Sequence, residues 1–422
     1  MENRRNSFEI RIVGVVFGVI ILLSLLTWGN LKYAKENPGG NDFLVHWIGS
    51  RNLIIKGISP YSDETALDIQ KVVYGRPARD GEHELRVVYP LYSIAVFAPF
   101  ALISDYEFAR ALWMTLLETA ILLIAFLSIR ITDWKPKSII LAVYLCFSIL
   151  WYHSLRSLIN GNAIVLVALG VVAGFWAIRK GADELAGVLF AFTTIKPQVV
   201  VLILIYVIYW SIKQRRSRII VWFFSTVLLL VMSAVMLIPN WIMQNIRELI
   251  RFPSYNPPLT FGTALLDLFP GFGDRLSWVV TGLLVIIMII EWRISVRTKY
   301  RGFIWTAFLT LVATQWIGIP TDPGNFIILF PAIVLLFAVI EERWERVGGI
   351  LSVLIMLLLG IGIWLIFLNT LEPGYQPQQS PVMFIPLPGF LLVMLYWIRW
   401  WTFQRPSVWF DDLIGEEESD LL

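Results

Sequence analysis

Apolar residues in this chain are grouped into about twelve segments, each of a length typical of a membrane-crossing helix or slightly shorter. Short polar stretches rich in lysine and arginine separate most of them. The pattern predicts spanning helices at residues 12–28, 106–129, 138–155, 163–178, 185–195, 199–212, 219–238, 276–291, 303–319, 326–340, 348–368 and 388–401. The fold class that follows is an all-α polytopic membrane protein, with residues 1–422 in a single domain.

The distribution of basic residues predicts the orientation of these helices. Basic clusters in short loops favour the cytoplasmic side of a membrane. The clusters at 130–137, 179–180, 213–218, 293–301, 343–346 and 399–405 all lie on that side if the N-terminus is cytoplasmic and residues 87–103 do not cross. That stretch contains Pro90 and Pro99, and we predict that it is interfacial or re-entrant.

This topology assigns a role to each part of the chain. Residues 1–31 carry the first transmembrane helix, 32–105 form a long extracytoplasmic loop, 106–403 carry the remaining transmembrane helices, and 404–422 form an acidic cytoplasmic tail. Both termini are then cytoplasmic. Within the loop, amphipathic patterns predict interfacial helices at 43–56, stopped by Gly57, and at 63–74, which Ser62 could cap.

Composition supports the membrane class and excludes others. The chain is 57% hydrophobic and 15% charged, more apolar than a soluble domain can bury. A net charge of +3 gives no reason to expect a nucleic-acid partner. With Cys146 as its single cysteine, the chain cannot form an intrachain disulfide. We also find no glycine-rich phosphate loop and no metal-spaced Cys/His cluster in the sequence.

Asp42 is the first candidate for chemistry, because it is an acidic residue at the outer membrane interface just after the first span. It could be a general base, or it could cap the helix that follows it. His46 would share its helix face, and Arg51 lies in the same short segment.

The other candidates are polar residues on the same predicted side. Lys196 lies between two short apolar halves, where an ammonium group needs a counter-charge or a water-filled cavity, and an anionic ligand is the simplest partner. The alternative is a lysine that extends to the membrane interface from a helical hairpin. Arg156 is suited to phosphate, and Gly161 lets the backbone next to Asn162 approach a ligand, although the same residues could form an ordinary turn. Asp322 lies in an outer turn that needs no function of its own.

Four blocks of this sequence resemble glycosyltransferase family 87, the polyprenol-phosphate-mannose-dependent mannosyltransferases of the GT-C fold. The blocks are Asn41-Asp42-Phe43 through Pro60-Tyr61, Tyr89-Pro90-Leu91-Tyr92 through Pro99-Phe100, Asn160-Gly161-Asn162-Ala163, and Ala186-Gly187 through Lys196-Pro197-Gln198. Gly161-Asn162 stands where the family usually has Gly-Gln. The stretch 319–326 contains Asp322 and Asn325 but lacks the histidine that members often carry.

The resemblance implies a GT-C-type fold and an inverting transfer of a hexose, expected to be mannose, from a polyprenyl phosphate to a lipid or glycan hydroxyl on the extracytoplasmic side. Asp42 would be the general base, and Lys196 and Arg156 would bind the donor phosphate. The residues expected to contact substrate are His46, Arg51, Tyr61, Asn162, Gln198, Asn256 and Asp322. No metal or other cofactor is required by this mechanism. The expected location is a prokaryotic plasma membrane, with an endoplasmic reticulum membrane and a lumenal site as the alternative. The expected partners are membrane lipids, the donor and the acceptor.

Two other classes of function remain open at this point. A transporter or lipid flippase would also place isolated charges in broken helices, but we find no related halves in the sequence. A non-catalytic membrane scaffold would explain the hydropathy but would leave the outer aspartate, lysine and arginine without a role.

Overall fold

The computed structural model describes residues 2–257, 259–371 and 379–403, with side chains described from residue 14 onward. Within these ranges the chain consists of helices and connecting segments, without a strand, which confirms the all-α class. The α-helices are α1 Glu2–Glu36, α2 Asn41–Arg51, α3 Asp63–Tyr74, α4 Ile94–Ala101, α5 Tyr106–Thr132, α6 Ser138–Leu150, α7 Tyr152–Asn160, α8 Ile164–Lys180, α9 Asp183–Phe192, α10 Pro197–Lys213, α11 Ser217–Leu237, α12 Trp241–Tyr255, α13 Phe261–Leu268, α14 Gly273–Ser295, α15 Tyr300–Thr314, α16 Phe330–Thr370 and α17 Pro386–Phe403. The predicted acidic tail at 404–422 lies outside the described residues.

Every predicted span coincides with helix, but fewer helices than expected are long enough to cross a membrane alone. Among the described residues, six helical segments meet that length, or seven if the bent pair α6 and α7 is one span. The difference arises because α8 and α10 have 17 residues each, α15 has 15 and α9 has 10, and because the predicted spans 326–340 and 348–368 lie in one helical segment. A 17-residue helix rises about 26 Å, slightly less than the hydrocarbon core.

The long helix α16 is two helices joined end to end. Glu345 has non-helical backbone angles (φ 43°, ψ −107°), which break the helix between the predicted spans 326–340 and 348–368. The kink lies beside the basic cluster at 343–346, where the chain turns back on itself. The sequence pattern therefore located this break correctly.

The basic clusters gather at one end of the helix bundle, which we call the basic end. Ion pairs join neighbouring helices there: Arg179 to Asp133 at 2.6 Å, Arg301 to Glu342 at 2.5 Å, and Arg216 to Asp183. Asp42, the start of α5 and the start of α10 lie at the opposite end, which we call the Asp42 end. The separation of charge that predicted the orientation is thus present in the folded chain.

The first loop forms the helices that its sequence predicted. α2 continues into a π-helical turn, Asn52–Lys56, which ends at Gly57 with a φ of 68°. α3 begins after Ser62, whose hydroxyl accepts a hydrogen bond from the Thr65 N–H at 3.2 Å. The predicted boundaries at 43–56 and 63–74 are therefore close to those observed.

Residues 87–103 stay at the Asp42 end. Helix α4 has only eight residues. Before it, the Tyr92 hydroxyl donates to the Thr194 carbonyl at 3.0 Å, and after it, the Tyr106 hydroxyl donates to the Gly39 carbonyl at 2.8 Å. Since both flanks are attached to the same end of the bundle, the segment does not cross it, in agreement with the prediction.

Candidate active site

The turn between α1 and α2 directs Asp42 into the bundle. Gly40 is the N-cap of α2, with a φ of 76° and no side-chain cap hydrogen bond, so Asp42 lies within the first turn. Its Oδ2 accepts a hydrogen bond from Asn162 Nδ2 at 2.9 Å, and the residue remains partly exposed. The capping alternative for Asp42 is therefore wrong: its carboxylate faces another segment of the chain.

Asn162 is held by a close approach of two helices. Gly161 before it has a φ of 70°, and a Cβ atom on Gly161 would lie 2.5 Å from the Cβ of Phe43 in α2. The Trp113 indole N–H donates to the Gly161 carbonyl at 2.9 Å. Only glycine combines this backbone conformation with this contact, and Asn162 is thereby placed directly opposite Asp42.

Lys196 completes a chain of side-chain hydrogen bonds. It lies between the 3-10 turn Thr193–Ile195 and α10 and is 5% exposed. Its Nζ donates to Asn162 Oδ1 at 2.9 Å and to Asn325 Oδ1 at 2.7 Å. The Tyr89 ring centroid lies 5.6 Å from the same Nζ. Two of the three ammonium N–H groups are thus used by amide oxygens.

Asn325 is a residue that we did not include among the predicted site residues. It lies in the 3-10 helix Pro323–Leu329, is 2% exposed, and donates from Nδ2 to Thr321 Oγ1 at 2.8 Å. The only signal in the sequence was its position in the outer turn after Asp322. An amide in such a turn is usually a turn residue, and only the folded chain shows that it contacts Lys196.

Arg156 and Asp322 form a second, more accessible pair. Their side chains are 24% and 45% exposed, and Arg156 Nη2 lies 3.5 Å from Asp322 Oδ2. The Gln379 carbonyl oxygen accepts from Arg156 Nε at 2.8 Å, and Tyr152 contacts the same amide. The guanidinium is therefore held in one orientation, although nothing in the sequence pointed to Gln379.

Arg110 connects the segments that carry Asp42 and Asn162. It is 1% exposed and donates from Nη1 to the Asn37 carbonyl at 2.7 Å and from Nη2 to the Ile159 carbonyl at 3.2 Å. The sequence did contain a signal for Arg110, because it is a charged residue inside the predicted span 106–129. Arg110 lies outside the four blocks that carry the family resemblance, and it was not among the predicted site residues.

The remaining predicted residues occupy other positions at the same end. His46 is buried between the rings of Tyr89 and Phe97, at centroid distances of 4.1 and 4.7 Å. Arg51 donates to the carbonyl of Ala101 at 2.8 Å, which attaches α2 to the end of α4.

Three further candidates lie farther along the chain. The Tyr61 hydroxyl donates to the Tyr89 carbonyl at 2.6 Å. Gln198 lies in the first turn of α10, and Asn256 ends α12. The structure thus brings Asp42, Asn162, Lys196, Arg156 and Asp322 together. His46 and Tyr61 contact Tyr89 instead, and Arg51 contacts the end of α4.

The charges of the site act on one another. Burial raises the pKa of the Asp42 carboxyl above its ordinary value, the positive charges of Lys196 and Arg156 oppose this increase, and Asp322 adds to it. Burial lowers the pKa of His46 to about 3, with Lys196 contributing, so its imidazole is neutral at physiological pH. The site therefore combines two partly exposed carboxylates with a buried ammonium and an oriented guanidinium.

This arrangement can accept a proton and stabilise an anion at the same end of the molecule. Among the described residues, no group of three or more His, Cys, Asp or Glu side chains is placed to hold a metal ion. The chemical groups that the site does offer are two carboxylates, three amides and two cations. These are the groups needed to activate a hydroxyl and to bind a phosphate.

Comparison with known proteins finds a family that part of the chain resembles. Residues 88–248 match the family model of glycosyltransferase family 87. The matched part contains Tyr89, Arg156, Asn162 and Lys196, and it ends before Asn325. No curated protein matches the chain. Together with the six or seven candidate spans, the match confirms the resemblance seen in the sequence. The match to residues 88–248 supports an assignment to glycosyltransferase family 87 and indicates a membrane glycosyltransferase.

Proposed function

We propose that this glycosyltransferase transfers mannose from a polyprenyl phosphate to a hydroxyl group of a lipid or glycan acceptor, with inversion at the anomeric carbon. The observation that supports this mechanism is that Asp42 Oδ2 and Lys196 Nζ are both hydrogen-bonded to the Asn162 side chain, at 2.9 Å each. A proton acceptor and a cation are thereby held at the two ends of one amide group. The sugar itself is inferred from the family resemblance.

Asp42 is proposed as the general base. A carboxylate has about four lone-pair positions, and the hydrogen bond from Asn162 uses one of them. The acceptor O–H would transfer its proton to Asp42 while its oxygen bonds to the anomeric carbon. The bond between that carbon and the phosphate oxygen breaks, and polyprenyl phosphate leaves with the electron pair. General-base catalysis of this kind contributes about 10²- to 10⁴-fold in rate.

Arg156 and Lys196 are proposed to stabilise the departing phosphate. Arg156 is the more accessible of the two, and its guanidinium is already oriented by Gln379. Lys196 is almost fully buried and has one N–H left beyond its two amide partners. We therefore assign the direct phosphate contact mainly to Arg156, with Lys196 adding positive charge from behind the amides.

The Asp42 end is proposed to face the extracytoplasmic side of a prokaryotic plasma membrane. The basic clusters lie at the opposite end, which by the positive-inside rule is cytoplasmic. The donor would then reach the site laterally from the outer leaflet. The acceptor hydroxyl would approach from the aqueous side, where Asp42 and Asp322 are partly exposed.

The test is release of free polyprenyl phosphate by the purified protein in nanodiscs. Radiolabelled polyprenyl-phosphate mannose is supplied with a membrane glycolipid fraction, and polyprenyl-phosphate glucose serves as the alternative donor. We expect release and labelled glycolipid with the mannosyl donor, and loss of at least about 10²-fold in Asp42→Asn. Asp267→Asn is the matched control, because Asp267 is an exposed carboxylate in α13.

Two results would contradict the proposal. Transfer by Asp42→Asn within a few-fold of wild type would remove Asp42 from the role of base. Absence of release with both donors, from protein that binds neither, would exclude a polyprenyl-phosphate sugar as the substrate. Faster release with the glucosyl donor would keep the mechanism and change the sugar.

A further inference from the structure

A polar cavity separate from the Asp42 contacts lies at the Asp42 end, between α3, residues 77–86 and the end of α12. Its volume is about 500 Å³, within the range of roughly 300 to 1,000 Å³ that is usual for small-molecule sites. The mechanism proposed above uses none of its side chains. We call it the α3–α12 cleft.

The charged lining of the cleft is mixed and nearly neutral. Four carboxylates line it, against three guanidinium groups, a net formal charge of −1. The carboxylates belong to Asp63, Asp80, Glu82 and Glu84, and the guanidinium groups to Arg79, Arg86 and Arg251. The four carboxylates would repel a phosphate, and the three guanidinium groups would repel a metal cation. An acyl chain would have to displace water from charged side chains, which is unfavourable.

The walls of the cleft are rigidly held. Arg86 is 9% exposed and donates from Nε to Glu84 Oε2 at 2.7 Å, while its Nη2 contacts Asp63. Arg251 donates from Nη2 to the same Glu84 oxygen at 2.8 Å. A network of this kind keeps donors and acceptors in position before a ligand arrives, which lowers the entropic cost of binding.

Two buried oxygens beside this network have no partner among the described residues. Tyr255 lines the cleft and is 9% exposed, and its hydroxyl forms no hydrogen bond. Glu248 is 3% exposed and contacts Arg86 through Oε1 at 3.5 Å, while its Oε2 is unpaired. Unpaired buried polar groups are costly unless a ligand or water satisfies them.

The cleft is linked to the active site through a short segment. Arg86 precedes Tyr89 by three residues, about 10 Å of extended chain. Helix α12 holds that segment: Asn245 donates to the carbonyls of Val88 and Tyr89 at 3.0 and 3.3 Å, and Glu248 contacts Arg86 one turn later. The Tyr89 ring in turn lies next to Lys196.

We propose that the α3–α12 cleft binds a neutral polyhydroxylated group, the sugar or polyol part of the acceptor. A sugar hydroxyl donates one hydrogen bond and accepts others, so it pairs with carboxylates and guanidinium groups together. Calling this ligand the acceptor rests on the proposed function of Asp42; the binding of a neutral sugar does not. An acceptor with more than one ring could occupy the cleft and present a hydroxyl to Asp42.

The test measures sugar binding directly, without catalysis. Methyl α-mannoside is titrated against the full chain in nanodiscs, and binding is followed by saturation-transfer NMR. The test variant is Arg79→Ala with Asp80→Ala, which removes two exposed lining side chains of opposite charge. The control is Asp274→Ala with Arg275→Ala, an exposed adjacent pair at the start of α14 that does not line the cleft.

We expect the wild type and the control to bind the glycoside alike, and the test variant to bind at least about tenfold more weakly. Equal binding by the test variant and the control, or no binding by the wild type, would overturn the inference. Displacement of the glycoside by inorganic phosphate would also overturn it, because the cleft would then be an anion site. If the protein binds the glycoside in the cleft but releases no polyprenyl phosphate, the proposed function fails and the cleft inference stands.

Discussion

Lys196 Nζ donates a 2.9 Å hydrogen bond to Asn162 Oδ1, and this contact determines which end of the amide faces Asp42. The Ile164 N–H donates to the same oxygen at 2.9 Å. With its oxygen facing two donors, the Asn162 amide must present its NH₂ group to the Asp42 carboxylate. The ammonium group therefore orients the hydrogen-bond donor beside the proposed base.

Replacing Asn162 by aspartate tests this orientation. Asn162→Asp keeps an oxygen toward Lys196 but replaces the NH₂ group by a second carboxylate oxygen facing Asp42. Like charges side by side raise a carboxyl pKa, so the fall in kcat/KM on acidification should begin at higher pH than in wild type. Activity should recover as the pH rises. A lower rate with an unchanged pH profile would contradict the proposed orientation of the Asn162 amide. The control is Asn369→Asp, at the exposed end of α16.

Removing the charge of Lys196 should shift the same profile. Burial raises the pKa of Asp42 and Lys196 opposes this, so Lys196→Met should raise the pKa further. A base must be deprotonated, so activity is present above this pKa and lost as the pH falls through it. The acidic limb of kcat/KM should therefore move to higher pH in Lys196→Met. Lys180→Met, an exposed lysine at the basic end, should leave it in place. A limb that stays in place or moves lower would show that Lys196 does not act on Asp42.

Arg156 should determine donor affinity more than acceptor affinity. Arg156→Gln removes the oriented guanidinium near Asp322 and should raise the donor KM at least about tenfold, with little change in the acceptor KM. The measurement is initial-rate kinetics with each substrate varied in turn. The control is Arg293→Gln, because Arg293 is an exposed arginine in the last turn of α14. If the acceptor KM rises instead, the phosphate assignment is wrong.

Gly161 should be intolerant of a side chain because of contact as well as backbone conformation. Gly161 and Gly57 have φ values of 70° and 68°, but a Cβ atom would lie 2.5 Å from Phe43 Cβ at Gly161 and would meet nothing within 4 Å at Gly57. In both alanine variants the left-handed backbone conformation costs about 1–2 kcal/mol of stability. We expect Gly161→Ala to show the larger loss of thermal stability and of transfer. Equal losses in the two variants would mean that the contact with Phe43 is unimportant.

Much of the fold could be predicted because it depends on local patterns. Each predicted apolar segment coincides with helix in the structure. Gly57 and Ser62 marked where the helices of the first loop end and begin. The short lengths of α8, α9, α10 and α15 were also visible in the sequence, yet hydropathy alone does not tell how a short apolar helix is arranged in the bundle. Length and packing together decide that.

The sequence by itself determined the membrane class, the separation of the basic clusters from Asp42, and the resemblance to glycosyltransferase family 87, because each depends on composition, periodicity or short motifs. Only the tertiary structure decided that Asp42 is not the helix cap, that Asn162 lies between Asp42 and Lys196, and that Asn325 and Gln379 hold the two cations. These contacts join residues far apart in the chain. They depend on how helices pack at one end of the bundle, and no local pattern encodes which side chains meet there.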